Sequence, residues 1–137
     1  AEGMIATMGG RFGGYGLYLQ RGKPVFVYNL LNLKRYRFEG GVGGEDWLGR
    51  SLSPGKHTIV YEFRPDAPQP GAGGTSRLSI DGKQVAEAHV PRTMPFVYSA
   101  DEGVDVGMDN ETAVTEEYEE GNNRFTGKID KVVVELK

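Results

Sequence analysis

Short apolar runs, cut about every ten residues by glycine or proline, leave this 137-residue chain little choice but β-structure. Its twenty-one glycines and seven prolines supply the punctuation of an antiparallel sandwich or barrel. "YGLYLQ" stops at "RGKP", and "PVFVYNLL" follows at once, which reads as a hairpin. In "HTIVYEF", Ile59, Tyr61 and Phe63 alternate with Thr58, Val60 and Glu62, the period of a half-buried strand. "RLSIDGKQVAEAHV" turns at Asp81-Gly82, where glycine supplies the positive φ of a tight primed turn. "SPGK" is a further turn just before a strand. No window carries a helical apolar stripe, so the chain should hold at most one or two short helical turns. The expected fold is all-β, an antiparallel two-sheet β-sandwich of the concanavalin A-like jelly-roll kind, formed as a single domain over 1–137.

"RFTGKIDKVVVELK" reads as a closing strand with a change of parity. Phe125, Gly127 and Ile129 share one face, whereas Val132, Val134 and Leu136 share the other. Either a β-bulge near Asp130-Lys131 reconciles the halves, or the strand is buried on both faces. "PDAPQPGAGG" and "EGGVGGEDW" are loops too short to separate domains. The opening "AEGMIATMGG" already reads as strand, as in a piece of a longer protein or a mature N-terminus.

Composition narrows the chemistry. There is no cysteine, hence no disulfide or thiolate metal site. No apolar run approaches the roughly 18–20 residues of a membrane span. An overall charge of −3 gives nucleic-acid binding no support, and neither that nor a membrane is an expected partner. "GGRFGGYG" has neither the spacing of a phosphate loop nor a helix behind it, so its glycines serve the backbone. No G-x-S-x-G elbow is present. His57 and His89 sit within predicted strands without neighbouring ligands, as ordinary surface or satisfied histidines do. "LKRYRFE" places Tyr36 and Phe38 on one face and Arg35 and Arg37 on the other, a half-buried strand with a basic outer row. The functional version of that row is an anion- or sugar-binding face. Trp47 beside its glycine loop is either core or a docking group.

Residues 101–120 hold nine of the nineteen acidic side chains and no lysine or arginine. Asp101, Asp105 and Asp109 recur every four residues. On a flat strand they would lie about 13 Å apart, at roughly 3.3 Å per residue. No single ion bridges that gap, and paired-carboxylate glycoside hydrolysis works at about 5–9.5 Å. A calcium site therefore requires the chain to break at Gly103 or Gly107, so that Asp109 and Asn110 curl back toward Asp105. The competing reading is a solvated loop anchored by Val114 and Tyr118. No cofactor is required, and calcium is the ion this stretch would take.

Several segments together resemble the C-terminal region of bacterial arylsulfatases. They are "GGRFGGYGLYLQRGKPVFVYNLLNL", "SPGKHTIVYEF", "GGTSRLSIDGKQVAEAHVPRTMPFVYSADEGVDVGMD" and "FTGKIDKVVVEL". The closing F-x-G-x-I-D-x-V pattern is also similar to the last strand of concanavalin-like and laminin-G-like jelly rolls. The resemblance implies a β-sandwich that follows an absent sulfatase catalytic domain, and a periplasmic or secreted parent. It carries no catalytic residue across, because the formylglycine motif C/S-x-P-x-R does not occur; "SLSPGKH" has the wrong spacing and no arginine. The family's "TGTPV" after "DVG-x-D" is here "NETAV". The implied role is a non-catalytic accessory domain packed on the catalytic domain of its own parent chain and shaping substrate access. Arg11, Phe12, Tyr15 and Trp47 are the expected contact residues. The alternative is a carbohydrate-binding module whose partner is a glycan or sulfated glycan.

Overall fold

The computed structural model describes residues 1–39, 51–95 and 103–136. Eight strands appear in chain order: β1 (Gly3–Gly10), β2 (Gly13–Gln20), β3 (Lys23–Leu30), β4 (Lys34–Glu39), β5 (Ile59–Pro65), β6 (Ala72–Ile80), β7 (Lys83–Arg92) and β8 (Val104–Val106). They form a five-stranded sheet in the order β4-β3-β2-β1-β8 and a three-stranded sheet in the order β5-β6-β7. Every strand pairing is antiparallel. The described residues contain no helix. The expected all-β, two-sheet sandwich is the observed architecture.

Alternation decides which sheet face meets which partner. Leu17, Phe26, Tyr28 and Phe38 point from the larger sheet toward Tyr61, Phe63, Ala88 and Val90 of the smaller one. Phe26 and Tyr61 stack face to face at the centre of this layer. The opposite parity of the same strands gives a second core of Met4, Tyr18, Val25 and Val27, closed by Val114 and Tyr118. The larger sheet is therefore buried on both faces, which explains the continuous burial of Pro24 through Asn29 in β3. Its second cover is the acidic stretch.

That stretch breaks at Gly107, one of the two glycines at which a calcium site would need it to. β8 ends at Val106, and Gly107 turns the chain with φ of 81°. The chain then crosses the sheet to the first strand, where Met4 N–H donates to Asn123 O at 2.8 Å and Thr126 N–H to Glu2 O at 2.8 Å. Val114, wholly buried, and Tyr118 are the anchors. A solvated loop is thus too weak a description of this segment; it is a cap.

The expected closing strand is a correction. Residues 125–136 join no strand, and Val133, Val134 and Leu136 are exposed. The first half is held by Phe125 N–H, which donates to Gly107 O at 2.8 Å, and by Asp130, 2.9 Å from Lys56 Nζ. His57 is a second correction, since it precedes β5 rather than lying in it.

Candidate functional site at the end of the larger sheet

β1–β2 and β3–β4 turn at the same end of the larger sheet, because Gly14 pairs with Asn29 across β2 and β3. The first turn carries Arg11-Phe12 at its tip, above a neck in which Gly9 faces Gly14. A Cβ on Gly9 would sit 2.3 Å from Gly13 O, and one on Gly14 would sit 2.2 Å from Met8 O. This close approach is why "GGRFGGYG" needs its glycines.

The second turn is chemically odd. Leu33 N–H donates to Leu30 O at 2.9 Å, closing a two-residue turn in which Leu31 and Asn32 have φ of 54° and 56°. Both central positions of such a primed turn need positive φ, for which asparagine and glycine are suited. Leucine there costs roughly 1–2 kcal/mol. The turns at Arg21-Gly22 and Asp81-Gly82 at least place glycine second. Leu31 and Leu33 are nonetheless exposed, as is Phe12 on the neighbouring tip, at 43%, 82% and 67%. A strained, exposed leucine between two other exposed apolar groups serves something outside the core.

Asn29, wholly buried, ties this end together. Its side-chain amide donates to Arg11 O at 2.9 Å and Val114 O at 3.0 Å, and its carbonyl accepts Asn32 N–H at 2.9 Å. Arg11 N–H donates to Thr112 Oγ1 at 2.9 Å, and its guanidinium lies 2.8 Å from Glu120. Arg35 donates to Val114 O at 3.1 Å and to Asn32 Oδ1 at 2.9 Å. The basic row of β4 thus faces the acidic cap rather than open solvent. Arg37 Nε sits 2.8 Å from Glu117, which also accepts the Tyr18 hydroxyl at 2.5 Å. Burial first, and then the Glu117 carboxylate, pushes that phenol far above its ordinary value. Arg37 and Lys23 hold the Glu39 carboxyl below the usual range.

Asp109 is the keystone of the cap. It is buried, and its carboxylate accepts the Tyr118 hydroxyl at 2.5 Å together with the backbone N–H groups of Glu111 and Val114. Asn123 clasps its backbone from both sides, accepting Asp109 N–H at 2.7 Å and donating to Asp109 O at 3.1 Å. Burial pushes the carboxyl pKa up despite these donors. Asn110 does curl back toward Asp105, but through its N–H, which donates to Asp105 Oδ2 at 3.0 Å. The three residues expected to ligate calcium are thus brought into one turn, in which Asp105 Oδ2 and the Asp109 carboxylate accept protein donors. Among the described residues no group of three or more acidic or histidine side chains is placed to hold a metal.

Between the two turns and the cap lies a pocket of about 320 Å³. Arg11, Asn32, Arg35, Thr115, Glu116 and Glu120 form most of its wall. Of the expected contact residues, Arg11 and Phe12 lie at this end. Tyr15 points into the sandwich and stacks on Phe26, its ring centroid 5.8 Å away. Trp47 lies outside the described residues.

A Ser–His–Asp cluster that the sequence reading missed sits on the loop before β5. His57 Nδ1 lies 2.8 Å from Asp81 Oδ2, and Ser53 Oγ lies 3.5 Å from Nε2. Nε2 is, however, 2.8 Å from the Ser53 carbonyl, so its proton is donated there. Both ring nitrogens face oxygen acceptors, which favours the protonated ring, and Asp81 first and then the Ser53 carbonyl raise its pKa. An imidazolium cannot take a proton from serine. The cluster is a turn clasp, separated by twenty-four positions in sequence and therefore invisible to spacing arguments. Comparison with family models, curated proteins and solved structures returned no match.

Proposed function

We propose that this chain is a non-catalytic β-sandwich accessory domain of an arylsulfatase-type sulfuric ester hydrolase. It docks on the catalytic domain of its parent through the sheet end bearing Phe12, Leu31 and Leu33. The observation that carries the docking is Leu31, held in a left-handed conformation while exposed beside two other exposed apolar side chains. Such a patch is costly to maintain unless something covers it. The assignment to sulfatases rests on the ordered resemblance of four long segments.

A glycan platform on a concave sheet face is less well supported. One face of the larger sheet is covered by the smaller sheet and the other by the acidic cap. Among the described residues Phe12 is the one exposed aromatic, and it lies on a turn.

The coding sequence upstream of Ala1 tests the proposal directly. A C/S-x-P-x-R motif several hundred residues earlier is expected, and an upstream region without one overturns the assignment. Aryl sulfate turnover by the purified 137-residue chain would equally overturn it.

A further inference from the structure

We infer that residues 131–136 of one copy of this chain add to the open edge of β5 in a second copy, so that two copies exchange strands. The segment Lys131-Val132-Val133-Val134-Glu135-Leu136 holds three consecutive β-branched residues and neither glycine nor proline. It pairs with no strand, and Val133, Val134 and Leu136 stand 63%, 67% and 97% exposed. Such a segment lowers its free energy by pairing with a sheet edge.

The same molecule carries the edge. β5 is the last strand of the smaller sheet, and among the described residues nothing pairs with its outer side. Its ladder to β6 runs without a bulge, and the devices that blunt an edge come only at its end, as Arg64 and Pro65. Asp81 N–H donates to Thr58 O at 2.8 Å and Asp66 N–H to Gly73 O at 2.9 Å, which sets the alternation of the ladder. Val60, Glu62 and Arg64 therefore turn their backbone groups to β6, whereas Ile59, Tyr61 and Phe63 turn theirs outward. The other edges are less open. β4 and β7 lie against each other, and the end of β8 is taken where Gly107 O accepts Phe125 N–H at 2.8 Å.

Direction points to a second copy. Asp130 lies 2.9 Å from Lys56, just before β5, so a chain's own tail could follow β5 only in parallel, against the antiparallel order of the sheet. A tail from another copy has no such tether and can run antiparallel. With Val132 opposite Tyr61 and Val134 opposite Ile59, the two valines extend the core face on which Tyr61 already packs. The other face then sets Val133 on Val60, itself 48% exposed, and Lys131 on Glu62. Two-fold symmetry makes each copy both donor and acceptor, so every pair forms twice. This edge uses neither Phe12, Leu31 nor Leu33, so it stands or falls apart from the docking proposal.

Sedimentation equilibrium and amide hydrogen exchange of the intact 137-residue chain, across the micromolar range, test the inference. A monomer–dimer equilibrium is expected, with exchange at Ile59, Tyr61, Val132 and Val134 slowing as the dimer forms. Val132→Pro removes a pairing N–H and should abolish the dimer while leaving the monomer's Tm unchanged. Glu62→Lys is the second variant, which keeps the test open should the first fail to fold. It sets like charges opposite one another at both pairings and should weaken association roughly 3- to 20-fold, and adding Lys131→Glu should restore it. A chain that stays monomeric throughout that range overturns the inference. So does a dimer that survives Val132→Pro or ignores the charge exchange. Tail protection independent of concentration overturns it as well, because the tail would then close on its own chain.

Discussion

Replacing Tyr118 by phenylalanine asks whether the acidic segment is a structural cap. The ring would remain against Tyr18, where the two stand edge to face with centroids 5.5 Å apart. Only the hydroxyl is lost, and with it the 2.5 Å bond to Asp109 and the acceptor 3.1 Å from Val114 N–H. A hydrogen bond to a charged group is worth about 1.5–3 kcal/mol, and Asp109 is too buried for water to substitute. Val114 N–H keeps the Asp109 carboxylate as a partner, so its loss adds little. The expected destabilisation is about 2 kcal/mol, read as a lower urea midpoint or a Tm fall of about 5–10 °C. The pH dependence is a second readout. Burial raises the Asp109 pKa in the folded state, so its contribution is fully present below the unfolded carboxyl value of about 3.9 and fades as pH rises through the folded value. Removing the phenol donor raises the folded value further, so the Tyr118→Phe deficit should shrink on acidification. A deficit below about 0.5 kcal/mol, or one equally large at both ends of the titration, would refute the keystone role.

Further outcomes follow from the same geometry. Val114→Ala removes two methyl groups from a wholly buried site and should cost about 2 kcal/mol in urea unfolding, with the smaller sheet's amides retaining their exchange protection. Leu31→Asn relieves roughly 1–2 kcal/mol of left-handed strain but surrenders partial burial, so unfolding of the isolated chain should move by less than about 1 kcal/mol. In the parent protein the same change should loosen docking, seen as faster proteolysis between the domains. The His57 pKa is raised in the fold, so its clasp on Asp81 is complete below about 6.5 and is lost as pH climbs through the raised folded value. Thermal unfolding should show a step there that His57→Gln removes.

What was legible in the sequence was what neighbouring residues decide. The Asp81-Gly82 hairpin and the parity of Tyr36 and Phe38 against Arg35 and Arg37 are local and stand where the residues put them, and the break falls at Gly107, one of the two glycines that could make it. Val114 and Tyr118 announced themselves as apolar groups within a charged run. Their partners did not, because Asn29, Arg35 and Arg37 lie 79 or more positions away from the cap residues they bond. The apolar periodicity of residues 125–136 suggested a strand, yet a strand needs an edge to pair with, and sequence pattern says nothing of edges. The Leu31-Asn32 turn escaped for the opposite reason: it breaks the glycine rule that makes such turns visible.

The stitching of the first strand to the far end of the cap has a consequence for how such a module travels. Glu2 and Thr126, 124 positions apart, are hydrogen-bonded neighbours, so the start of the first strand and the end of the cap meet at one place on the surface. Neither can be trimmed alone, because the first strand and the cap's last turn hold each other in place. Grafting it elsewhere should therefore succeed when residues 2–130 move together, and fail when a cut falls anywhere between the acidic cap and the strand it closes on.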